Sequence, residues 1–348
     1  MSIPLFALKR VSWMLPLLAA CGLGLAGCAK KDDVIVKTGE GKEMGEVAID
    51  SDPLALLPSS AIAVLVVDAK PLFASQFGTK LLELSKKRVP LPPSAGFDPG
   101  RDLQKVYLGT YSMSGVDVSG VAVGTFDKAK IEAAADGTQQ TPLGVPVTKS
   151  KYAGRTLYTA GNVGFTVLTS RTALFGNDTG IRRALDRIKE GRAKRQLTAS
   201  MEKLLTTQTA PLVFVADLAT HPLPNSTRRE LPFLNGVETA SVIGNFQDPG
   251  VNLAGTLAYG SDADAQKGAE GLLSARQMLE TYGPVLAVLG IPQPVKQLEA
   301  TPKGKNTEFK IGVDAAAVAV LLDRADEFLG IPAQAATVPA TTSKPVAQ

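Results

Sequence analysis

Two short apolar runs, each ending in an aspartate, are the clearest pattern along the chain. Residues 61–68 and 210–217 are rich in β-branched and other apolar residues, and they end at Asp68 and Asp217. Apolar runs of this length, bounded by turn residues, predict buried β-strands. A proline-marked segment follows each run, so the two runs predict the beginnings of two similar units.

A β-hairpin pattern follows each of these strands. Residues 106–111 and 116–125 flank a turn in the first unit, and residues 237–246 and 251–259 flank one in the second. In the last of these segments apolar and polar residues alternate, which predicts a strand with one buried face. The alternation in the first unit changes register near Ser119-Gly120, where we expect a β-bulge.

Each hairpin leads to a helix, a second strand pair and a closing helix. The apolar spacing predicts helices at residues 127–135, 179–190, 262–282 and 314–329. The second strand pairs are predicted at residues 146–151 with 155–159, and at residues 295–301 with 306–313. The first unit adds two short strands, at residues 163–169 and 172–175. Ser261 or Asp262 and Asp314 are the expected caps of the later helices, and Gly283-Pro284 is the expected stop of the third.

The repeated order of elements predicts an α+β fold made of two related units. We expect each unit to be a mainly antiparallel sheet with helices over one face, because the strands pair locally. The units are assigned to residues 51–197 and 198–331. Residues 28–50 are polar and are expected to form a flexible tether, and residues 332–348 are rich in Ala, Thr and Pro and are expected to be a disordered tail. The alternative is two unrelated segments with generic patterning.

Composition excludes several kinds of site. Cys21 and Cys28 are the two cysteines and His221 is the single histidine among 348 residues. A zinc site of the usual His/Cys kind needs three or four such ligands, so no metal site is expected, and no cofactor is predicted. Removing a leader that holds Lys9 and Arg10 lowers the formal net charge from +4 to +2. Nucleic acid is therefore not an expected partner.

The amino-terminal segment has the pattern of a secretory signal. Lys9 and Arg10 precede an uncharged apolar run over residues 11–25, which ends in Leu25-Ala26-Gly27-Cys28. These four residues match the lipobox, and the chain resembles a bacterial lipoprotein precursor. The resemblance implies that the leader, residues 1–27, is cut before Cys28. It also implies that the thiol then carries a diacylglyceryl group and that the amine carries a fatty acyl chain such as palmitate. Two or more such chains form a stable membrane anchor.

Two alternatives to this processing remain. Leu18-Ala19-Ala20-Cys21 also fits the lipobox, but a cut there would leave an apolar beginning, whereas residues 29–33 are polar. The other alternative is an uncleaved signal anchor. After the leader no run of 18 apolar residues occurs, so no later transmembrane helix is expected. The expected location is the periplasmic side of the cell envelope, and Ala29, rather than Asp, favours the outer membrane.

The globular part also resembles uncharacterised bacterial envelope lipoprotein families. The likeness lies in Leu57-Pro58-Ser59-Ser60-Ala61 and in a closing helix that begins near residues 176–185. These motifs are structural, and the resemblance implies no activity.

Several residues have spacings that occur in catalytic sites, and each has a structural explanation. Ser200 and Lys203 form a Ser-x-x-Lys pattern without its companion motifs, so Ser200 is better explained as a helix cap. Asp68 and Asp217 could form a carboxylate pair, but a strand-end Asp commonly accepts backbone hydrogen bonds in the next turn. His221 has no second histidine or cysteine beside it. The glycine-rich segment 176–180 could hold a phosphate, but it lacks the lysine of a P-loop, and Asp178 or Thr179 is the expected cap. We therefore expect no enzyme activity.

A cluster of basic residues lies on and after the closing helix of the first unit. Its members are Arg182, Arg183, Arg187, Lys189, Arg192, Lys194 and Arg195. Such a cluster is usually a solvated face; the functional interpretation is contact with anionic lipid headgroups or cell-wall polymers. The leading hypothesis is a lipid-anchored envelope protein with a non-enzymatic binding or structural role, with the membrane and envelope proteins as partners. The alternative is a carrier of a lipid or other apolar ligand, and a hydrolase is the weaker alternative.

Overall fold

The computed structural model describes residues 43–88, 91–112, 117–134, 145–288 and 292–329. The strands are β1 Ala63–Asp68, β2 Leu103–Thr110, β3 Val118–Gly124, β4 Val147–Tyr152, β5 Arg155–Ala160, β6 Val163–Val167, β7 Thr172–Asn177, β8 Leu212–Asp217, β9 Val237–Asn245, β10 Gly250–Tyr259, β11 Val295–Lys303 and β12 Asn306–Asp314. The helices are α1 Glu46–Ser51, α2 Pro53–Leu56, α3 Ala69–Phe73, α4 Gly78–Arg88, α5 Pro99–Asp102, α6 Lys128–Ala134, α7 Asp178–Lys189, α8 Ala199–Thr207, α9 Asn225–Glu230, α10 Asp262–Val288 and α11 Ala315–Leu329. Cys28, the predicted leader and the predicted tail lie outside the described residues.

All twelve strands form one antiparallel sheet, and this confirms the predicted α+β class. The strand order is β11-β12-β10-β9-β8-β1-β2-β3-β7-β6-β5-β4. The first strands of the two predicted units, β1 and β8, pair with each other at the centre. Both units therefore contribute to a single sheet and share one strand interface.

The strand order shows which elements of the two units correspond. From the centre outwards, the order β1-β2-β3-β7-β6 of the first unit corresponds position by position to the order β8-β9-β10-β12-β11 of the second. The β6–β7 hairpin is thus the counterpart of β11–β12. The sequence analysis matched β4–β5 to β11–β12, and this match was wrong. Local pattern alone could not separate the two hairpins, whereas the order of strands in the sheet does; β4–β5 is the additional hairpin at the edge of the first unit.

Helices cover both faces of the sheet, whereas the sequence predicted them over one face. Val121 and Leu174 are directly paired across β3 and β7, and they pack with Leu185 of α7 in one core cluster. Ala173, the next residue on β7, points the other way and packs with Ile131 of α6 in a second cluster. Adjacent residues of one strand point to opposite faces. β7 and its neighbour β3 are therefore buried on both sides.

Burial on both sides also explains why the predicted β-bulge is absent. β3 pairs with β2 in continuous register from Val118 to Ala122, and the register shift lies at Leu103 instead. Ser119, Gly120 and Val121 are all buried, which a strand covered on two faces requires. A Cβ on Gly120 would lie 2.2 Å from the Phe175 ring, so glycine is needed there for packing.

The last part of the predicted tether is folded. Residues 43–50 include most of α1, and Ile49 is fully buried in the cluster between α7 and the sheet. The polar composition of 28–50 concealed this contact, because Ile49 is the one buried residue of α1. Its neighbour Asp50 is held by hydrogen bonds from the Thr169 and Thr172 hydroxyls. α10 also continues through Pro284 to Val288, where the sequence predicted a stop. Proline removes one backbone donor from a helix, and α10 continues past that position.

The helix caps agree with the predictions in two of four cases. Ser261 accepts a hydrogen bond from the Asp264 amide at the beginning of α10, and Asp314 accepts from the Ala316 amide at the beginning of α11. The cap of α7 is Asn177 rather than Asp178 or Thr179, and that of α8 is Thr198 rather than Ser200. In both cases the helix begins one or two residues earlier than the apolar pattern indicates.

Candidate functional site

Two arginines of the predicted basic cluster are paired with acidic side chains of the same unit. Arg182 on α7 lies 2.7 Å from Asp178, and its guanidinium carbon is 4.5 Å from the centre of the Tyr152 ring. The hydrogen bond to Asp178 raises the pKa of Arg182. Arg183 donates to both carboxylate oxygens of Asp117, at 2.6 and 2.7 Å. The Arg182–Asp178 pair lies within α7, whereas the contacts with Tyr152 and Asp117 hold α7 against β4 and the beginning of β3.

Three further arginines of the cluster hold the segment that joins the two units. Arg187 is nine-tenths buried and donates to the Leu57 and Lys194 carbonyl oxygens. Burial lowers the pKa of Arg187, and the nearby charge of Arg192 lowers it further. Arg195 donates to Asp52 at 2.8 Å, and this hydrogen bond raises its pKa. Arg192 pairs with Glu190.

Lys189 and Lys194 are the remaining members of the cluster, and both are exposed. Among the described residues neither lysine side chain forms an ion pair. The structure therefore divides the predicted anionic-surface contact into five arginines with internal partners and two lysines that face solvent.

The amino-terminal segment joins the folded part beside these lysines. The Met44 amide donates to the Ile188 carbonyl at the last turn of α7, at 3.1 Å. Glu43 pairs with Arg155 of β5 at 3.1 Å. Residues 28 and 43 are close enough in sequence that extended chain between them would span at most about 50 Å. An anchor at Cys28 would therefore keep this end of α7 within that distance of a membrane.

The two strand-end aspartates do not form a catalytic pair. The Asp68 amide bonds to the Pro211 carbonyl and the Asp217 amide bonds to the Ile62 carbonyl, so the two residues lie at opposite ends of the β1–β8 pair. With a rise of about 3.4 Å per residue they are about 20 Å apart. Asp68 pairs with Lys105 at 2.9 Å. The Asp217 carboxylate accepts from the Ala219 amide at 3.2 Å, as a turn-forming aspartate does.

Ser200 and the glycine-rich segment have structural contacts. The Ser200 hydroxyl forms a hydrogen bond of 3.1 Å with the Thr198 hydroxyl. At the beginning of α7, a Cβ on Gly180 would lie 2.7 Å from the Val118 carbonyl oxygen. The helix terminus thus packs closely against β3. Glycine is needed there for packing, independently of any phosphate.

His221 lies in an open hollow at one end of the central strands. Its Nδ1 is 3.0 Å from the Thr220 hydroxyl, and the side chain is exposed. The hollow has a volume of about 440 Å³ and is lined by Ile62, Tyr111 and Pro222 among others. Burial raises the pKa of the Tyr111 phenol well above its usual range. No acidic or second basic side chain lines this hollow among the described residues.

A second hollow, adjacent along the chain, contains residues that the sequence analysis missed. It has a volume of about 350 Å³ and is lined by Asn225, Arg228, Arg229 and Asn235. Arg228 donates to the Asn225 side-chain oxygen. The signal in the sequence is the pair of adjacent arginines in a polar segment that contains Pro222, Pro224 and Pro232.

As far as the described residues go, no group of three or more His, Cys, Asp or Glu side chains could hold a metal ion. Within the part of the chain that the structure describes, no helix combines enough length and apolarity to cross a bilayer.

Comparisons with known proteins give a likeness of fold. No protein-family model matches the chain, and no curated protein matches it. Among solved structures, crystal forms IV, I and III of TP0453 are similar, with TM-scores of 0.47, 0.46 and 0.46 and sequence identities of 11%, 12% and 13%. Each likeness covers 78% of this chain and 96% to 98% of the other.

Proposed function

We propose that this chain is a lipid-anchored protein of the bacterial cell envelope with a non-enzymatic binding or structural role. The observation that carries the proposal is Leu25-Ala26-Gly27-Cys28 at the end of an apolar leader. Acylation of Cys28 would hold the folded part at the membrane surface, on the periplasmic side. Ala29 favours the outer membrane as its location.

The non-enzymatic role is supported by the positions of the candidate catalytic groups. Asp68 and Asp217 are about 20 Å apart by strand geometry, and each has a structural contact. Ser200 bonds to a threonine, and His221 bonds to its neighbouring threonine. Catalysis by general acid and base needs such groups within hydrogen-bond reach of one another or of a shared substrate.

We assign a supporting role to the exposed lysines, which is to bring the end of α7 into contact with the membrane. Lys189 and Lys194 lie next to the point where the amino-terminal segment meets the fold. Lysines close to a membrane surface gain about 1 kcal/mol each from anionic lipid. The partners proposed are accordingly the membrane, envelope proteins and anionic lipid or cell-wall polymer. Both hollows are open to solvent, so a carrier of acyl chains is not the function that we propose.

Incorporation of labelled palmitate into the full chain tests the anchor. The chain is produced in a Gram-negative host, alongside Cys28→Ser and the matched control Cys21→Ser. The expected result is that the unaltered chain and Cys21→Ser carry label, whereas Cys28→Ser, which keeps its apolar leader, carries none. Label that persists in Cys28→Ser would contradict the proposal.

Complementation tests the absence of catalysis. In a strain that lacks the protein, chains with Asp68→Asn, Asp217→Asn, Ser200→Ala or His221→Gln should restore growth or envelope integrity as the unaltered chain does. A single substitution that abolishes complementation while the protein keeps its melting temperature would contradict a non-enzymatic role.

A further inference from the structure

The hollow beside α9 presents hydrogen-bond donors without acidic neighbours in its lining. Two guanidinium groups, of Arg228 and Arg229, and two amides, of Asn225 and Asn235, line it. Because the Asn225 oxygen accepts from Arg228, the nitrogen of that amide keeps its own donors available. The lining is therefore dominated by groups that donate to an acceptor-rich ligand.

The charge of the two arginines is uncompensated within the described part of the chain. Neither forms an ion pair there, and the Arg228 Nε is buried without a hydrogen-bond partner. The nearby carboxylate of Asp264 is already engaged by the Ser261 hydroxyl at 2.7 Å and by Lys267 at 3.7 Å. By contrast, the neighbouring arginines Arg182 and Arg183 on α7 are both paired with aspartates.

The segments that follow β1 and β8 both contribute apolar side chains to the core. In the first unit the segment after β1 packs into the core, where Leu72 and Phe77 join one cluster with Phe246. In the second unit the segment after β8 packs Leu223, Phe233 and Leu234 against another cluster. Arg228 is half-buried and Arg229 is exposed, so the two guanidinium groups line the hollow outside the apolar core.

We infer that this hollow, formed by Asn225, Arg228, Arg229 and Asn235, is a binding site for a phosphate-type oxyanion. A guanidinium group matches phosphate geometry with two parallel hydrogen bonds. A carboxylate has two oxygens, whereas a phosphate group offers three or more, which suits two guanidiniums and two amides. The ligand is an inorganic phosphate or the phosphate of a lipid headgroup. The inference deepens the binding role proposed above and does not involve Cys28.

Titration calorimetry on the full-length protein in neutral detergent tests the site. The two probes are inorganic phosphate and the soluble lipid dihexanoylphosphatidylglycerol, each at constant ionic strength. The expected result is saturable binding of at least one probe, with affinity reduced about tenfold for each arginine replaced by glutamine. Binding of inorganic phosphate alone would identify the free ion, and binding of the lipid alone would identify a headgroup.

Matched variants keep the test specific. Arg171→Gln removes the same charge from an exposed arginine outside the hollow and should leave the affinity unchanged. A double variant with Arg228→Lys and Arg229→Lys keeps the charge but loses the planar guanidinium groups, which donate two parallel hydrogen bonds. This variant should therefore bind more weakly than the unaltered protein. If the double glutamine variant fails to fold, Arg229→Gln alone serves, because this side chain is exposed. Absence of saturable binding for both probes, or equal losses in Arg171→Gln, would overturn the inference. Neither result would alter the acylation test.

Discussion

Leu65 and Phe214 face each other across the central strand pair and occupy the same position in their two units. Ala63 pairs with Ala216, and Val67 pairs with Leu212. Ala63 in the first unit corresponds to Leu212 in the second, and Val67 corresponds to Ala216. Exchanging the two units therefore turns the Ala63–Ala216 pair into the Val67–Leu212 pair and leaves the register unchanged. The two units are thus related by an approximate two-fold axis through the Leu65–Phe214 pair. Their first strands pair with each other at the centre of one sheet.

The shared sheet predicts that the two units unfold together. Val64 is fully buried on β1, and Val64→Ala should lower the free energy of unfolding by about 2 kcal/mol. Scanning calorimetry should show one transition that moves as a whole. Two separate transitions, of which Val64→Ala moves one, would contradict a single cooperative sheet.

Two apolar residues of α1 should differ in their contribution to stability. Ile49 is fully buried, whereas Val47 on the same helix is 86% exposed. Ile49→Ala should destabilise the fold by about 2–5 kcal/mol, and Val47→Ala should change it by less than about 0.5 kcal/mol. Denaturant unfolding measures both values. Equal and negligible effects would mean that residues 43–51 behave as part of the tether.

Arg187 and Lys189 separate the structural part of the basic cluster from its exposed part. Arg187→Met leaves two backbone carbonyl oxygens without their donor and should cost about 1–3 kcal/mol of stability. Lys189→Met should leave stability unchanged but weaken association with anionic membranes. Chemical denaturation measures the first effect, and the salt dependence of membrane release measures the second. A destabilised Lys189→Met with unchanged membrane release would refute the division.

The contribution of the Asp102 carboxylate to the stability of the fold should disappear in acid. Its hydrogen bond with Arg101 lowers the pKa of this carboxyl below its ordinary value of 3.8. A group whose pKa is lowered by folding stabilises the fold above its unfolded pKa, and this contribution disappears as the pH falls through the folded value. Asp102→Asn should therefore be less stable than the unaltered protein at pH 7, and the difference should shrink below about pH 4. A difference that is constant from pH 7 to pH 2 would exclude this linkage.

The sequence predicted the local elements better than their arrangement. Alternation in 251–259 and the apolar spacing in 179–190 depend on neighbouring residues, and both elements were confirmed. The joining of β1 to β8 and the burial of both faces depend on residues far apart in the chain, which periodicity does not reveal. The same holds for Arg183, whose partner Asp117 is distant in sequence. Charge counting groups all seven basic residues together, whereas the partners of the five arginines are visible only in the structure.

The state of residue 28 in protein isolated from membranes tests the central claim most directly. Intact-mass and peptide mass spectrometry of the full-length product, extracted from its own envelope, reports the first residue and any acyl groups on it. The account predicts a chain that begins at Cys28 and carries a diacylglyceryl thioether. A chain that still begins at Met1, with an unmodified thiol at Cys28, would contradict it.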